Sequence, residues 1–436
     1  MEDSHIEDGE TQGNVEVAPA LISVHPSQNS VAVSVGSDLR VFDLVDKCPA
    51  TLVDDSGGPS HKDSIRAIRY GANGRLFVSA GDDKLVKIWS VGSWHCISTV
   101  CSEKRVTAVA ISNDGLHVCY ADKFGVVWVV ELDGINEGKV LPSKKTAPML
   151  SHYCSIITSL EFSPDDCYIL SADRDFKIRV TVFPKKPLEG AHEIQSFCLG
   201  HTEFVKCLAF VRTPEFPQGY LVSGSGDSTV RLWDITSGSL LDTCNVSTKA
   251  GHVESDEGEP TQCTVTDICT IPNSSLVAVA IQSLQGIMLL SCDVLARNLS
   301  ITKVITIPGE SFIPTSICMG VSSSTKELLV WLVTGASNLP SSSHPSFSRV
   351  RAISLSKKPD GEAIDNGHSV VEDELIPGGM KLLEKLQGKV SIEEEVICAA
   401  TEAVRTAMSS LLMKKQYSSE KREFRKRTRN DKKNVH

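Results

Sequence analysis

Gly224-Ser225-Gly226-Asp227-Ser228-Thr229-Val230-Arg231-Leu232-Trp233 is one copy of a unit that occurs upstream as Ala80-Gly81-Asp82-Asp83-Lys84-Leu85-Val86-Lys87-Ile88-Trp89. A looser copy is Ala172-Asp173-Arg174-Asp175-Phe176-Lys177-Ile178-Arg179-Val180-Thr181. Reduced versions are Leu39-Arg40-Val41-Phe42 and Val126-Val127-Trp128-Val129. The copies end between 40 and 52 residues apart, the spacing of a stacked array of one supersecondary unit. Each copy reads as a tight turn feeding a strand. Gly, Asp and Ser tolerate turn geometry or bond the local backbone, and Val230-Arg231-Leu232-Trp233 alternates apolar and polar residues as a half-buried strand does. Another strand-like run precedes each turn, as in Ile65–Tyr70 and Val205–Phe210. A histidine, His61 or His201, stands before each of these two runs.

In the copy that contains Gly200-His201 and Trp233-Asp234 the GH…WD signature of WD repeats is complete. Further strand-like runs at Val265–Thr270, Leu276–Ala280 and Gly286–Leu290, and at Thr315–Gly320, Leu328–Val333 and Val350–Leu355, supply two more units. With a first unit opening near Ala18–Val24, the expected fold is all-β, a seven-bladed WD40 β-propeller over residues 18–356, closed so that no sheet edge at the ring junction is left open. Residues 1–17 are acidic and expected to be disordered. Residues 357–390 read as an acidic linker with a short helix at Met380–Leu386. A second helix is expected over Ser391–Lys414, capped by Ser391, with acids at its positive end and Lys414 and Lys415 at its negative end. A C-terminal helical extension and basic tail over 391–436 would complete the chain.

The chain has 436 residues and a formal net charge of −10. Between Lys414 and His436, however, ten basic side chains face only three acidic ones, so polyanion contact is expected to be local to the tail. The opening Met1-Glu2-Asp3-Ser4-His5 is followed by no apolar stretch, which points away from a secretory signal and towards the cytosol or nucleus. No run approaches the length of a membrane-spanning helix. The 14 cysteines contain no C-x-x-C pair, and they read as small buried thiols, neither a zinc site nor a disulfide framework. Phosphate-loop, dinucleotide, zincin and hydrolase-elbow motifs are missing. Asp82, Asp83 and Asp227 recur at one repeat position, so they read as turn residues and not as metal ligands. His201 reads as a hydrogen-bonding link inside its blade. No catalytic, cofactor-binding or metal-binding residue is expected.

The turn of the third copy concentrates Asp173, Arg174, Asp175, Lys177 and Arg179 in seven positions. So many charges must meet water or opposite charges on a partner. Yet Arg179 aligns with Arg40, Lys87 and Arg231, so a basic residue here is also the habit of the repeat.

This segment, with Ile194-Gln195-Ser196-Phe197-Cys198-Leu199-Gly200-His201-Thr202-Glu203-Phe204-Val205 after it, resembles the WD-repeat non-catalytic subunit of the eukaryotic tRNA (guanine-N7) methyltransferase. The two blocks follow that family's A-D-R-D-x-K-I-R and I-x-S-F-C-L-G-H-T-E-F-V patterns closely, over some 35 residues. The resemblance implies a chain that does no chemistry itself. It would bind and stabilise a catalytic subunit as a heterodimer, and that subunit, carrying S-adenosylmethionine, would methylate N7 of a guanosine in the tRNA variable loop. It also places the turn Asp173, Arg174, Asp175, Lys177 and Arg179 in the subunit interface. Phe176 departs from the family, where Glu is expected. The tail residues Lys421, Arg422, Arg425, Lys426, Arg427 and Arg429 are expected to direct nuclear import, to touch tRNA phosphates, or only to be solvated. The alternatives are a WD40 substrate adaptor of a ubiquitin ligase and, with less support, an enzyme with a propeller active site.

Overall fold

In the computed structural model, residues 16–132, 146–152, 155–247, 263–271, 274–309, 312–322, 327–338, 346–355 and 369–388 are described, less 55, 56 and 58, with 398 and 401–403 beyond them. Seven antiparallel sheets follow one another along the chain. Blade 1 takes Leu21–Val24, Ser30–Val35, Asp38–Asp43 and the two-residue Cys48–Pro49. Blade 2 takes Ile65–Gly71, Leu76–Gly81, Leu85–Ser90 and His95–Cys101. Blade 3 takes Val106–Ile111, His117–Asp122, Val126–Glu131 and Thr146–Ser151. Blade 4 takes Ile157–Phe162, Tyr168–Asp173, Lys177–Val182 and Ile194–Leu199. Blade 5 takes Val205–Thr213, Phe216–Ser225, Thr229–Asp234 and Ser239–Asn245. Blade 6 takes Val265–Thr270, Leu276–Ile281, Gly286–Asp293 and Asn298–Thr306. Blade 7 takes Ser316–Val321, Leu328–Ser337, Ser346–Ser354 and Ser369–Val370.

The first strand of each blade lines a central channel and touches the first strands of its two neighbours. Ala18–Pro19 closes the ring by pairing with the end of the second strand of blade 7, Ala18 opposite Ser337 and Pro19 opposite Ala336. The core is accordingly a ring of apolar seams, one between each pair of neighbouring blades. Second strands such as Ser30–Val35 are buried along their whole length, because both of their faces meet a neighbouring blade. This explains their near-continuous apolar run, whereas outermost strands keep one face in water.

The turns between second and third strands share one backbone geometry. Lys84, Gly125, Phe176 and Ser228 occupy the left-handed region at φ 65°, 87°, 72° and 62°. Only Gly125 does so without steric cost. These turns and the loops that lead into each first strand lie at one end of the channel.

The expected short helix is present as Gly379–Gln387, but it is not carried on a free linker. Ser369–Val370 adds to blade 7, and Asp373 pairs with Arg349 at 2.8 Å and Arg351 at 2.7 Å. Leu382, Leu383 and Leu386 are buried with Phe42, Trp331 and Val350 in the seam between blades 7 and 1. Arg40 donates to the Leu386 carbonyl at 3.0 Å, at the negative end of the helix, and the Gln387 side chain accepts from the Val350 amide at 2.8 Å. The helix thus covers the two blades, 1 and 7, whose outermost strands have only two residues each. Of the second expected helix, 391–414, all but 398 and 401–403 lies outside the described residues, as does the basic tail.

Candidate partner interface on the fourth blade

Each complete repeat holds its turn down with a chain of polar bonds. In blade 5, His201 Nδ1 meets Asp227 at 2.9 Å and Nε2 meets the Ser223 hydroxyl at 2.7 Å, while the Trp233 indole N–H donates to the same hydroxyl at 2.8 Å. Blade 2 repeats this with His61, Asp83, Ser79 and Trp89. Burial pushes the Asp227 carboxyl up, but the His201 bond, the Thr229 hydroxyl and the Thr202 amide outweigh it and hold it well below the usual carboxylate range. Burial also lowers His201, more than Asp227 raises it.

A group with a depressed folded-state pKa contributes stability that is present above its unfolded value and lost as pH falls through the folded one. For His201 the loss starts near pH ~6.5 and for Asp227 near ~4, the unfolded values. The melting temperature is therefore expected to stay level above neutrality and to fall progressively below it. In Asp227→Asn the part of the acid limb below pH ~4, which Asp227 itself contributes, should be shallower. Thermal melts from pH 8 to pH 3 check this, and a melting temperature that rises on acidification would contradict it.

Blade 4 departs from the pattern in two ways. His152 bridges Asp173 at 2.9 Å and Ser171 at 2.7 Å, but the tryptophan position is held by Thr181, whose hydroxyl is buried without a hydrogen-bond partner. The aspartate on the histidine is also a different one. By repeat alignment Asp175 matches Asp83 and Asp227, yet Asp173, two residues earlier, takes His152 and accepts the amides of Asp175 at 2.8 Å and Lys177 at 3.1 Å. In blade 3, Asp122 holds the turn in the same way, accepting from Phe124 and Val126. Asp173 is 2% exposed, so its task is internal, and of the five expected interface residues it alone does not reach the surface. Arg174, Asp175 and Phe176 are half-buried on the turn, and Lys177 is exposed.

Arg179 differs from the three residues it aligns with. Arg40 pairs with Asp38 at 2.7 Å, Lys87 with Asp54, and Arg231 with Asp227 at 3.7 Å. Arg179 donates to the Ser151 carbonyl at 3.1 Å, and its Nε is buried with no acceptor. Among the described residues no carboxylate pairs with it, and burial alone lowers its pKa from the ordinary guanidinium value. The Arg174 Nε is likewise buried without an acceptor. A half-buried cation without a counter-charge costs free energy that an incoming carboxylate would recover.

The neighbouring strand adds an apolar surface that the charge pattern did not reveal. Phe197 stands directly opposite Arg179 and Leu199 opposite Lys177, so each pair shares one face of the sheet. Ile194, Phe197 and Leu199 are 42%, 43% and 60% exposed on the outermost strand of the blade. The signal was in the sequence as apolar residues at the outward positions of an alternating strand. It could be used only once that strand was known to be outermost. Lys421, Arg422, Arg425, Lys426, Arg427 and Arg429 lie outside the described residues.

Comparison with known proteins finds a match to the family model "tRNA methyltransferase TRM82 WD40 domain" over residues 136–338 and to "WD domain, G-beta repeat" over residues 49–90. The chain is 31% identical over 283 residues to the tRNA (guanine-N(7)-)-methyltransferase non-catalytic subunit of Xenopus laevis, covering 63% of this chain and 67% of that one. To the subunit of the same name from Dictyostelium discoideum it is 31% identical over 250 residues, 54% of this chain and 51% of the relative. To the human one it is 35% identical over 184 residues, 42% and 41%. The matches span about half the length of most of these relatives. Among solved structures, "Structure of U3-55K" superposes with a TM-score of 0.57 at 17% identity, covering 73% of this chain and 88% of that one, a likeness of fold alone.

Proposed function

Because this chain belongs to the family of WD-repeat non-catalytic subunits of tRNA (guanine-N(7)-)-methyltransferase, we propose that it docks a catalytic subunit on blade 4 and stabilises it as a heterodimer. The observation that carries this reading is Arg179, the aligned basic residue that has no carboxylate among the described residues. A carboxylate from the catalytic subunit would complete the pair, and apolar side chains there would cover Phe197 and Leu199. Such a mixed site, a desolvated charge ringed by apolar contacts, is how a few residues come to dominate an interface. S-adenosylmethionine and the reacting guanosine of the tRNA variable loop would sit on the catalytic subunit. The propeller contributes preorganisation, since a partner loop already held in place need not be ordered again when RNA binds.

The end of the channel that carries the Arg174–Phe176 turn also exposes Lys62, Lys104, Arg105, Lys123 and Lys177, against the exposed acids Asp63 and Glu103 in the same loops. On a chain of negative net charge this rim favours contact with tRNA phosphates beside the docked subunit. The basic tail would add to that contact or direct nuclear import, and deletion of residues 421–433 followed by localisation separates these two tasks.

The test is affinity purification of the tagged chain from nuclear extract, followed by an N7-guanosine methylation assay on unmodified tRNA. Recovery of a methyltransferase with activity supports the reading. Recovery of ubiquitin-ligase components without methylation would replace it with the adaptor reading. Phe197→Asp is expected to weaken the complex about 10- to 100-fold, the range of about 1–3 kcal/mol typical of a well-placed interface aromatic, with the melting temperature unchanged. An unchanged dissociation constant by biolayer interferometry would take the apolar strand out of the interface.

A further inference from the structure

At the channel end that carries the basic rim, four threonines staple one blade to the next. Thr107 donates to the Ile157 carbonyl at 2.7 Å, Thr158 to that of Val205, Thr266 to that of Pro314 at 3.2 Å, and Thr315 to that of Ala20 at 2.7 Å. Thr107, Thr158 and Thr266 are the second residues of their first strands. In blades 2 and 5 that position is cationic, Arg66 and Lys206. Arg66 is consumed locally by Asp82 at 2.6 Å, Glu16 at 3.9 Å and the Val17 carbonyl at 3.3 Å. Lys206 gives up the staple and has no hydrogen bond or ion pair among the described residues. Asp267 on the next blade feels its charge, but the carboxylate oxygens of Asp267 already accept from Ser316, Ile317 and Ile268.

Lys206 stands between two spaces. Behind it is the channel cavity of about 410 Å³, and in front is a mouth pocket of about 170 Å³. The pocket is walled by Leu21, Ile65, Ile156 and Ile157 and ringed by Arg66, Arg105, Lys123 and Lys206, against the acids Glu16 and Asp82. Glu16 already brings one carboxylate of this chain into the pocket, 3.5 Å from Arg105. We propose that the pocket binds an acidic peptide, taking one glutamate or aspartate side chain between its aliphatic walls with Lys206 as the counter-ion. The recessed pocket has the size of one side chain, which suits a carboxylate on a short stem and not a nucleic-acid backbone. The exposed rim, which shares Arg105 and Lys123 with the pocket and adds Lys62, Lys104 and Lys177, is the better place for phosphates. The pocket adjoins the docking surface on blade 4, since the Ile156 carbonyl at its wall accepts the Arg174 amide at 2.9 Å, but Lys206 belongs to blade 5.

The experiment is fluorescence anisotropy of a labelled Glu-Gly repeat peptide with the full-length chain, beside the same peptide carrying Gln. Saturable, salt-sensitive binding of the Glu peptide alone is expected. Lys206→Thr should weaken it on the order of 30-fold, as loss of a partly desolvated charge pair does. That variant places a threonine where blades 3, 4 and 6 carry one, and Lys206→Met, which keeps the aliphatic stem, is measured in parallel with thermal melts of both. Lys104→Thr, on the exposed rim, should bind as wild type does. Equal binding by the Gln peptide, or by both Lys206 variants, overturns the proposal. So does competition by single-stranded RNA that matches the Glu peptide charge for charge, which would assign binding to the rim.

Discussion

Arg179→Leu is expected to raise the dissociation constant for the catalytic subunit by roughly 30- to 1000-fold, about 2–4 kcal/mol, while the propeller remains folded. The two halves of this expectation have one cause. In the free chain the Arg179 guanidinium is half-buried, its Nε has no acceptor, and no carboxylate among the described residues repays its desolvation. Leucine keeps an apolar stem against the sheet and removes that cost, so the melting temperature should hold or rise slightly. In the complex the same substitution leaves a partner carboxylate facing leucine, and an unpaired buried charge is what makes one-sided truncation of an ion pair expensive. Arg231→Leu is the control. It breaks an internal pair with Asp227, so it should lower the melting temperature without directly weakening the complex. Calorimetric titration and thermal melts on both variants decide the matter. A dissociation constant within twofold of wild type for Arg179→Leu would move the interface off this turn.

The ring was legible in the sequence because each blade repeats one turn and one strand pattern, and those depend on local chemistry. Blades 6 and 7 were found from strand-like runs alone, where the signature residues are missing. What could not be read were pairings that join distant parts of the chain. Arg40, Lys87, Arg179 and Arg231 look equivalent, yet Lys87 finds its carboxylate in Asp54, 33 residues away in an inter-blade loop. Which of the four stays uncompensated is therefore a property of the folded ring. Asp173 was read with the interface because five charged residues crowd its turn, although it is Asp175 that aligns with Asp83 and Asp227. The choice between them depends on where the loop after blade 3 delivers His152, a histidine whose preceding sequence has no glycine to mark it. The acidic segment before the helix read as a linker for a similar reason. Its Asp373 is neutralised by Arg349 and Arg351, which only the third strand of blade 7 brings within reach.

Trp233→Ala is expected to lower stability by about 3–5 kcal/mol, the range for truncating a fully buried large side chain. Trp233 is 0% exposed and sits in the seam between blades 4 and 5 with Leu170, Ile178 and Cys198 on one side and Val205, Leu208 and Leu221 on the other. Alanine leaves a cavity there and removes the indole donor from Ser223, which also holds His201. Trp233→Phe separates the two losses. It keeps most of the volume and forfeits the hydrogen bond, so it should cost about 1–2 kcal/mol. Denaturant unfolding of the three proteins measures both, and a midpoint for Trp233→Ala equal to wild type would mean that the indole does not hold this seam. The seam borders the blade that carries Arg179, which makes binding the informative second readout. Below its melting temperature the folded fraction of Trp233→Ala should bind the catalytic subunit with wild-type affinity, because the turn from Arg174 to Phe176 is anchored by Asp173 and by His152 from the loop between blades 3 and 4, not by blade 5. Loss of affinity in the folded fraction would instead show that the blade 4 surface depends on its neighbour for its shape.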